Sequence, residues 1–182
     1  IRMDEKGWII TDDHMQTSVE NVYAVGDILG PPKVMLAHVA STEGLIAAEN
    51  AMGANRRMDY HAAPGAIFTS PEVANVGLTE AQAGEQGIDH VSHTVLMRTL
   101  GKAQVLGELA GEAKIVAESG SGRILGVHLV GAHATDLIAE GTLAIQQGLT
   151  VSDIAGTIHA HPTMAEVMLE VAHKAQGHPI HS

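Results

Sequence analysis

His159-Ala160-His161-Pro162-Thr163-Met164-Ala165-Glu166 is the stretch around which the chain is organised. Two histidines flank one alanine, and Pro162 interrupts whatever backbone pattern precedes it. Thr163-Met164-Ala165-Glu166 has the Thr-x-x-Glu form of a capping box, in which each side chain bonds a backbone N–H of the other. Met164, Val167, Met168, Val171, Ala172 and Ala175 follow at helical spacing. They predict an amphipathic helix that Gly177 ends. A histidine and a carboxylate held at a helix mouth are where a base and the group that orients it can sit.

Working outward, Thr150 opens a short helix carrying Val151, Ile154, Ala155 and Ile158. A longer helix is predicted over 135–147, with Leu137, Ile138, Gly141 and Ile145 on one side and Gly148 as its cap. Residues 113–118 and 123–130 are β-rich and flank Ser119-Gly120-Ser121-Gly122, which is a hairpin signal. Residues 66–69, 73–77 and 90–97 read as further strands. Thr79-Glu80-Ala81-Gln82 is a second capping box and opens a short helix that Gly87 closes. Strands first and helices after, with antiparallel hairpins, predict an α+β fold: an antiparallel sheet with helices on one face.

Residues 1–62 have a different character. The runs 7–11 and 21–27 are β-like, and the second ends in Gly26-Asp27. A strand ending in Gly-Asp can place one carboxylate where α/β sheets bind ligands. A turn glycine beside a solvated aspartate is the equal alternative. Gly30-Pro31-Pro32 is a break, residues 35–52 read as a helix closed by Gly53, and the polar run 54–64 ends at Pro64. Two domains are expected, 1–62 and 63–182.

Composition narrows the functional classes. The 182 residues carry 10 Lys+Arg against 21 Asp+Glu, a formal net charge of −11, with no basic patch beyond Arg56-Arg57. Nucleic-acid binding, which needs clustered cations, is disfavoured. One Trp, one Phe and two Tyr make any core aliphatic. Cysteine is absent, so disulfide scaffolds and Cys-ligated metal sites are excluded within these residues. That absence fits a reducing, cytoplasmic setting. No apolar run approaches the ~18 residues of a membrane span, and no signal peptide is evident.

Three readings are open for His159, His161 and Glu166. The His-x-His pair, in a chain with 12 histidines, could bind a metal, although no third ligand stands at a familiar spacing. The histidines could be satisfied core residues, with Glu166 acting only as a cap. Or His161 is a general base whose tautomer and basicity Glu166 sets.

The sequence resembles the C-terminal part of the flavin-dependent pyridine nucleotide-disulfide oxidoreductases, most of all their dihydrolipoamide dehydrogenase branch. Four stretches in order carry the resemblance. They are Asn21-Val22-Tyr23-Ala24-Val25-Gly26-Asp27, Met35-Leu36-Ala37-His38, Phe68-Thr69-Ser70-Pro71-Glu72-Val73-Ala74-Asn75-Val76-Gly77-Leu78-Thr79, and His159 through Glu166. It implies that residues 1–62 are the trailing segment of an α/β FAD-binding domain and that 63–182 form the interface domain of a homodimer. It implies that Asp27 binds the ribityl chain of FAD and that Leu36, Ala37 and His38 lie against the flavin ring. His161 then matches the catalytic base and Glu166 the carboxylate that orients it, with the pair serving the active site of the other subunit. His159 becomes a supporting residue, and no metal is implied. The substrate would be the dihydrolipoyl group of a lipoyl-bearing protein of a 2-oxo acid dehydrogenase complex, with NAD as the final acceptor.

The departures are informative. The redox Cys pair is missing, and so are the Gly-x-Gly-x-x-Gly fingerprints for FAD and NAD. With Ile1 as the first residue, the chain is expected to be the C-terminal portion of a longer polypeptide and inactive alone. Without its sheet neighbours, the run from Val22 to Val25 is expected to become an exposed edge. The alternatives are a stand-alone dimerisation module and a glutathione reductase-like member of the family.

Overall fold

The computed structural model describes residues 1–31 and 33–181; Pro32, part of the expected break, lies outside them. The chain divides into two compact units, Ile1–Ala63 and Pro64–Ser182.

In the first unit the two β-like runs do not form ladders. They make only the isolated bridges Met3↔Ile9 and Gln16↔Tyr23. Their polar groups pair locally instead: the Ile9 N–H donates to the Ile28 carbonyl (3.1 Å) and the Ala24 N–H to that of Met15 (3.1 Å). A 3-10 turn, Gly26–Leu29, precedes helix α1, Ala37–Ala51. Alanines and other helix formers fill α1, and Gly53, at φ +94°, follows its end. Met15, Leu29, Ile46 and Ala47 form the small core, and Tyr23, Ala24 and Val25 pack against it half-buried. Within the run from Val22 to Val25, the side chains of Tyr23, Ala24 and Val25 are thus partly covered by Met15 and α1, and its backbone makes a single bridge, Gln16↔Tyr23.

The second unit is built on a five-stranded sheet in the order β1-β2-β5-β4-β3, antiparallel throughout. Its strands are β1 Gly65–Ile67, β2 Glu72–Gly77, β3 His90–Leu96, β4 Gly111–Glu118 and β5 Ile124–Gly131. The predicted hairpin is the β4–β5 pair. Ala113 stands opposite Leu129 and Ile115 opposite Val127, and all four are fully buried. Residues directly opposite share a face, and burying each Ile, Leu or Val contributes roughly 1.5–3 kcal/mol. The register slips after Val116, which pairs with Gly126 while Ala117 pairs with Ile124. Leu125 is the extra residue of this bulge, and it packs with Val116 and Ala83.

Helix α2, Glu80–Glu85, carries Ala83 and begins in the predicted capping box, with Thr79 accepting from the Gln82 N–H and Gln82 from that of Thr79. Helix α3, Gly101–Leu106, follows a 3-10 turn, Met97–Thr99, in a segment where the sequence shows no helical period or cap. Helix α4, Ala134–Gln146, packs on β2 and β5. Helix α5, Val151–Ala155, packs against α6, Glu166–Ala175, which lies on β3 and β4. Helix α5 starts in a capping box of Thr150 and Asp153 that the sequence reading did not single out. No helix among the described residues is long and apolar enough to cross a membrane.

Candidate active site at the start of helix α6

The stretch from His159 to Glu166 is a loop leading into α6. The expected capping box is half formed. Glu166 Oε2 accepts from the Thr163 N–H (2.8 Å), but the reciprocal bond, in which the Thr163 hydroxyl would accept from the Glu166 N–H, is not made; that hydroxyl donates back to the Ala160 carbonyl (2.7 Å). The helix accordingly begins at Glu166, two residues later than the spacing predicts, with Ala165 as a residue that offers no side-chain cap. The apolar face is as expected: Val167, Met168, Val171 and Ala172 are fully buried and Met164 nearly so.

This arrangement divides the two oxygens of Glu166. Oε2 is held by the backbone, and Oε1 lies 2.8 Å from His161 Nδ1. A carboxylate only accepts, so Nδ1 carries the proton and Nε2 presents its lone pair. The Glu166 side chain is 15% exposed and the His161 side chain 71%. The carboxylate is thus embedded while the imidazole reaches into solvent. Burial pushes the Glu166 pKa up. The Thr163 N–H, the His161 imidazole and the positive charge of His161 and His181 outweigh it and hold the carboxyl below its ordinary value.

His159 occupies a different environment. Its side chain is 6% exposed, with Nδ1 3.0 Å from the Thr157 carbonyl and Nε2 2.9 Å from Glu140 Oε1 on α4. Both ring nitrogens are engaged by acceptors, so this ring ties the loop to α4 and has no atom left for a substrate. Among the described residues, no three His, Asp or Glu side chains converge as metal ligands.

In the first unit, the Gly26-Asp27 turn and the start of α1 come together. Glu43, buried on α1, accepts from the Gly26 N–H (2.6 Å) and from the Tyr60 hydroxyl (2.6 Å). A Cβ at Gly26 would stand 3.4 Å from that of Ala40. Asp27, Ala37 and His38 are exposed and Leu36 is half-buried. Leu36 precedes the first helical residue and supplies no side-chain cap to the first-turn N–H groups. A helix start presents polarised N–H donors, and a nearby turn carries the Asp27 carboxylate, an acceptor. Sequence reasoning missed Glu43, Tyr60 and Glu140. A carboxylate inside the α1 pattern was the only local sign of the first, and Glu140 lies 19 residues from its partner.

The profile of the pyridine nucleotide-disulphide oxidoreductase dimerisation domain matches residues 63–172, and the pyridine nucleotide-disulphide oxidoreductase profile matches residues 1–44. The chain belongs to the pyridine nucleotide-disulphide oxidoreductase family. It is 43% identical over all 182 residues to a dihydrolipoyl dehydrogenase of Haloferax volcanii and 46% over all 182 to that of Bacillus subtilis. It is 49% identical over 178 residues, 98% of the chain, to the enzyme of Chlamydia muridarum. The chain spans 38% of the length of each of these relatives. Among solved structures, LpdA of Mycobacterium tuberculosis superposes with a TM-score of 0.86 at 26% identity, covering 92% of this chain and 36% of that one. The Cu(II) complex of the HOCl-induced flavoprotein disulfide reductase RclA of Escherichia coli gives 0.86 at 25% identity, covering 94% and 39%.

Proposed function

We propose that this chain is the C-terminal portion of a dihydrolipoyl dehydrogenase-like enzyme and supplies its dimer interface and its general base, His161. The supporting observation is the 2.8 Å His161–Glu166 contact, which leaves Nε2 as an exposed acceptor. Nε2 takes the proton of a substrate thiol; the S–H bond breaks and its electron pair stays on sulfur. The resulting thiolate, unlike the thiol, attacks a disulfide. Glu166 stabilises the imidazolium formed in that step and keeps the ring in the reactive tautomer. The imidazolium then faces the thiolate released as the redox disulfide opens. That disulfide belongs to a Cys pair outside this sequence, and in a homodimer it lies in the other subunit.

Asp27 holds the ribityl hydroxyls of FAD, and Leu36, Ala37 and His38 border the flavin at the α1 N-terminus. When bound, FAD supplies the two-electron chemistry that links the dithiol to NAD. No residue of this chain is assigned to NAD. The substrate is a dihydrolipoyl group on a lipoyl-bearing protein, and the setting is the reducing cytoplasm. The test is a chimera in which this chain replaces the matching C-terminal part of the Bacillus subtilis relative. It should oxidise dihydrolipoamide with NAD, and His161→Gln should lower kcat by roughly 10²–10⁴-fold, the usual contribution of a general base. Full turnover by the His161→Gln chimera contradicts the assignment.

A further inference from the structure

Glu170 lies in the apolar stripe of α6 between Val167 and Val171 and is 2% exposed. A carboxylate in such a position needs donors, and the catalytic reading gives it no task. It finds its donors at the end of the chain. Gly177, at φ +81°, turns the backbone after α6, and the His178 N–H bonds back to the His173 carbonyl (3.0 Å). The tail then folds against the helix. Glu170 Oε1 accepts from the His181 N–H (2.5 Å) and Oε2 from the Ile180 N–H (3.3 Å), while His181 Nδ1 lies 3.6 Å from Oε2. Glu166 and Glu170 are four residues apart, so they are neighbours on one helix face.

We propose that Glu170 clips the C-terminal tail and so seats His181 as a third charged group beside the His161–Glu166 pair. The catalytic meaning of this clip rests on His161 being the base; the clip itself does not. Positive charge on His181 is among the influences that hold the Glu166 carboxyl low. Other ionisable groups lie on the elements packed against α6. Helix α5 carries Asp153, bound to Thr150; β3 carries His90 and His93; β4 carries Glu112, Lys114 (paired with Glu80) and Glu118 (paired with Arg123). Among the described residues, the side-chain hydrogen bonds and ion pair of Glu170 go to the tail.

The test follows the Glu166 carboxyl by ¹³C NMR titration, and the Ile180 and His181 amides by hydrogen exchange, in the 182-residue chain. His181→Gln should raise the Glu166 midpoint by roughly 0.2–0.7 pH units, the effect of one exposed charge pair. Glu170→Gln should shift it the same way and speed exchange of both amides by about tenfold or more, as loss of a charge-assisted hydrogen bond requires. An unmoved Glu166 midpoint in His181→Gln overturns the proposal, as do tail amides that exchange equally fast with and without Glu170. His181 is at the surface, so its variant decides the matter even where Glu170→Gln does not fold. Neither readout needs turnover, so failure of the clip and failure of the catalytic assignment appear in separate experiments.

Discussion

Gly141→Ala probes the seat of α4 on the sheet, and two opposing effects can be weighed from the structure. Alanine is favoured over glycine inside a helix by about 1 kcal/mol. Yet an added Cβ at 141 would stand 2.9 Å from both Cβ and Cγ2 of Val127 and 3.1 Å from its Cγ1. Carbon pairs settle near ~3.5–4.0 Å, so α4 must lift by about 0.6–1 Å. Val127 cannot yield: it is fully buried, β-branched, and paired in the ladder with Val76 on one side and Ile115 on the other. Overpacking of this kind costs about 1–3 kcal/mol. Overpacking wins, and the variant should be less stable by about 1 kcal/mol, read by urea unfolding followed by far-UV circular dichroism at unchanged slope. In the double variant with Val127→Ala both Cγ contacts go and only the Cβ contact remains, so part of the strain is relieved and a favourable coupling of about 0.5–1 kcal/mol should appear. Stabilisation by Gly141→Ala alone, or simple additivity with Val127→Ala, refutes the packing described here. The site is involved too, since Glu140, the preceding residue of α4, holds His159.

Three further outcomes follow from the same geometry. Burial, then the hydrogen bond and charge of Glu43, pushes the Tyr60 phenol well above its ordinary range; in ultraviolet titration Glu43→Gln should bring that midpoint down. Thr79→Ala removes one half of the α2 capping box and should cost about 1 kcal/mol by urea unfolding, with Thr79→Ser retaining most of the stability. The folded-state pKa of Glu166 is depressed, so its contribution is present above the unfolded carboxyl value and is lost as pH falls through the lower folded one. Glu166→Gln should therefore flatten the acid limb of a stability-against-pH profile, and an unchanged limb would show that the carboxylate is not held.

What the sequence made legible was what local pattern encodes. The β4–β5 hairpin, the Thr79 capping box and the apolar face of α6 follow from spacing within a few residues, and the structure has all three. The start of α6 lies two residues beyond the Thr-x-x-Glu prediction: the Thr163 hydroxyl is turned back to the Ala160 carbonyl and only the Glu166 half of the box forms, which the four-residue pattern does not reveal. The runs 7–11 and 21–27 have strand composition, but a ladder needs a neighbour, and only single bridges formed. The His161–Glu166 contact was legible because five residues separate the partners. Glu140 with His159 and Glu170 with His181 were not, because tertiary packing brings those pairs together across 19 and 11 residues.

The central claim is that His161 and Glu166 act as one unit in proton transfer. It is tested most directly by a double-mutant cycle on kcat in the chimera with the Bacillus subtilis relative, using His161→Gln, Glu166→Gln and both together. Members of a catalytic unit are strongly non-additive. The double variant should therefore turn over no more slowly than His161→Gln alone, with Glu166→Gln less impaired than either. Losses that multiply, or a His161→Gln chimera as active as the unaltered one, would contradict it.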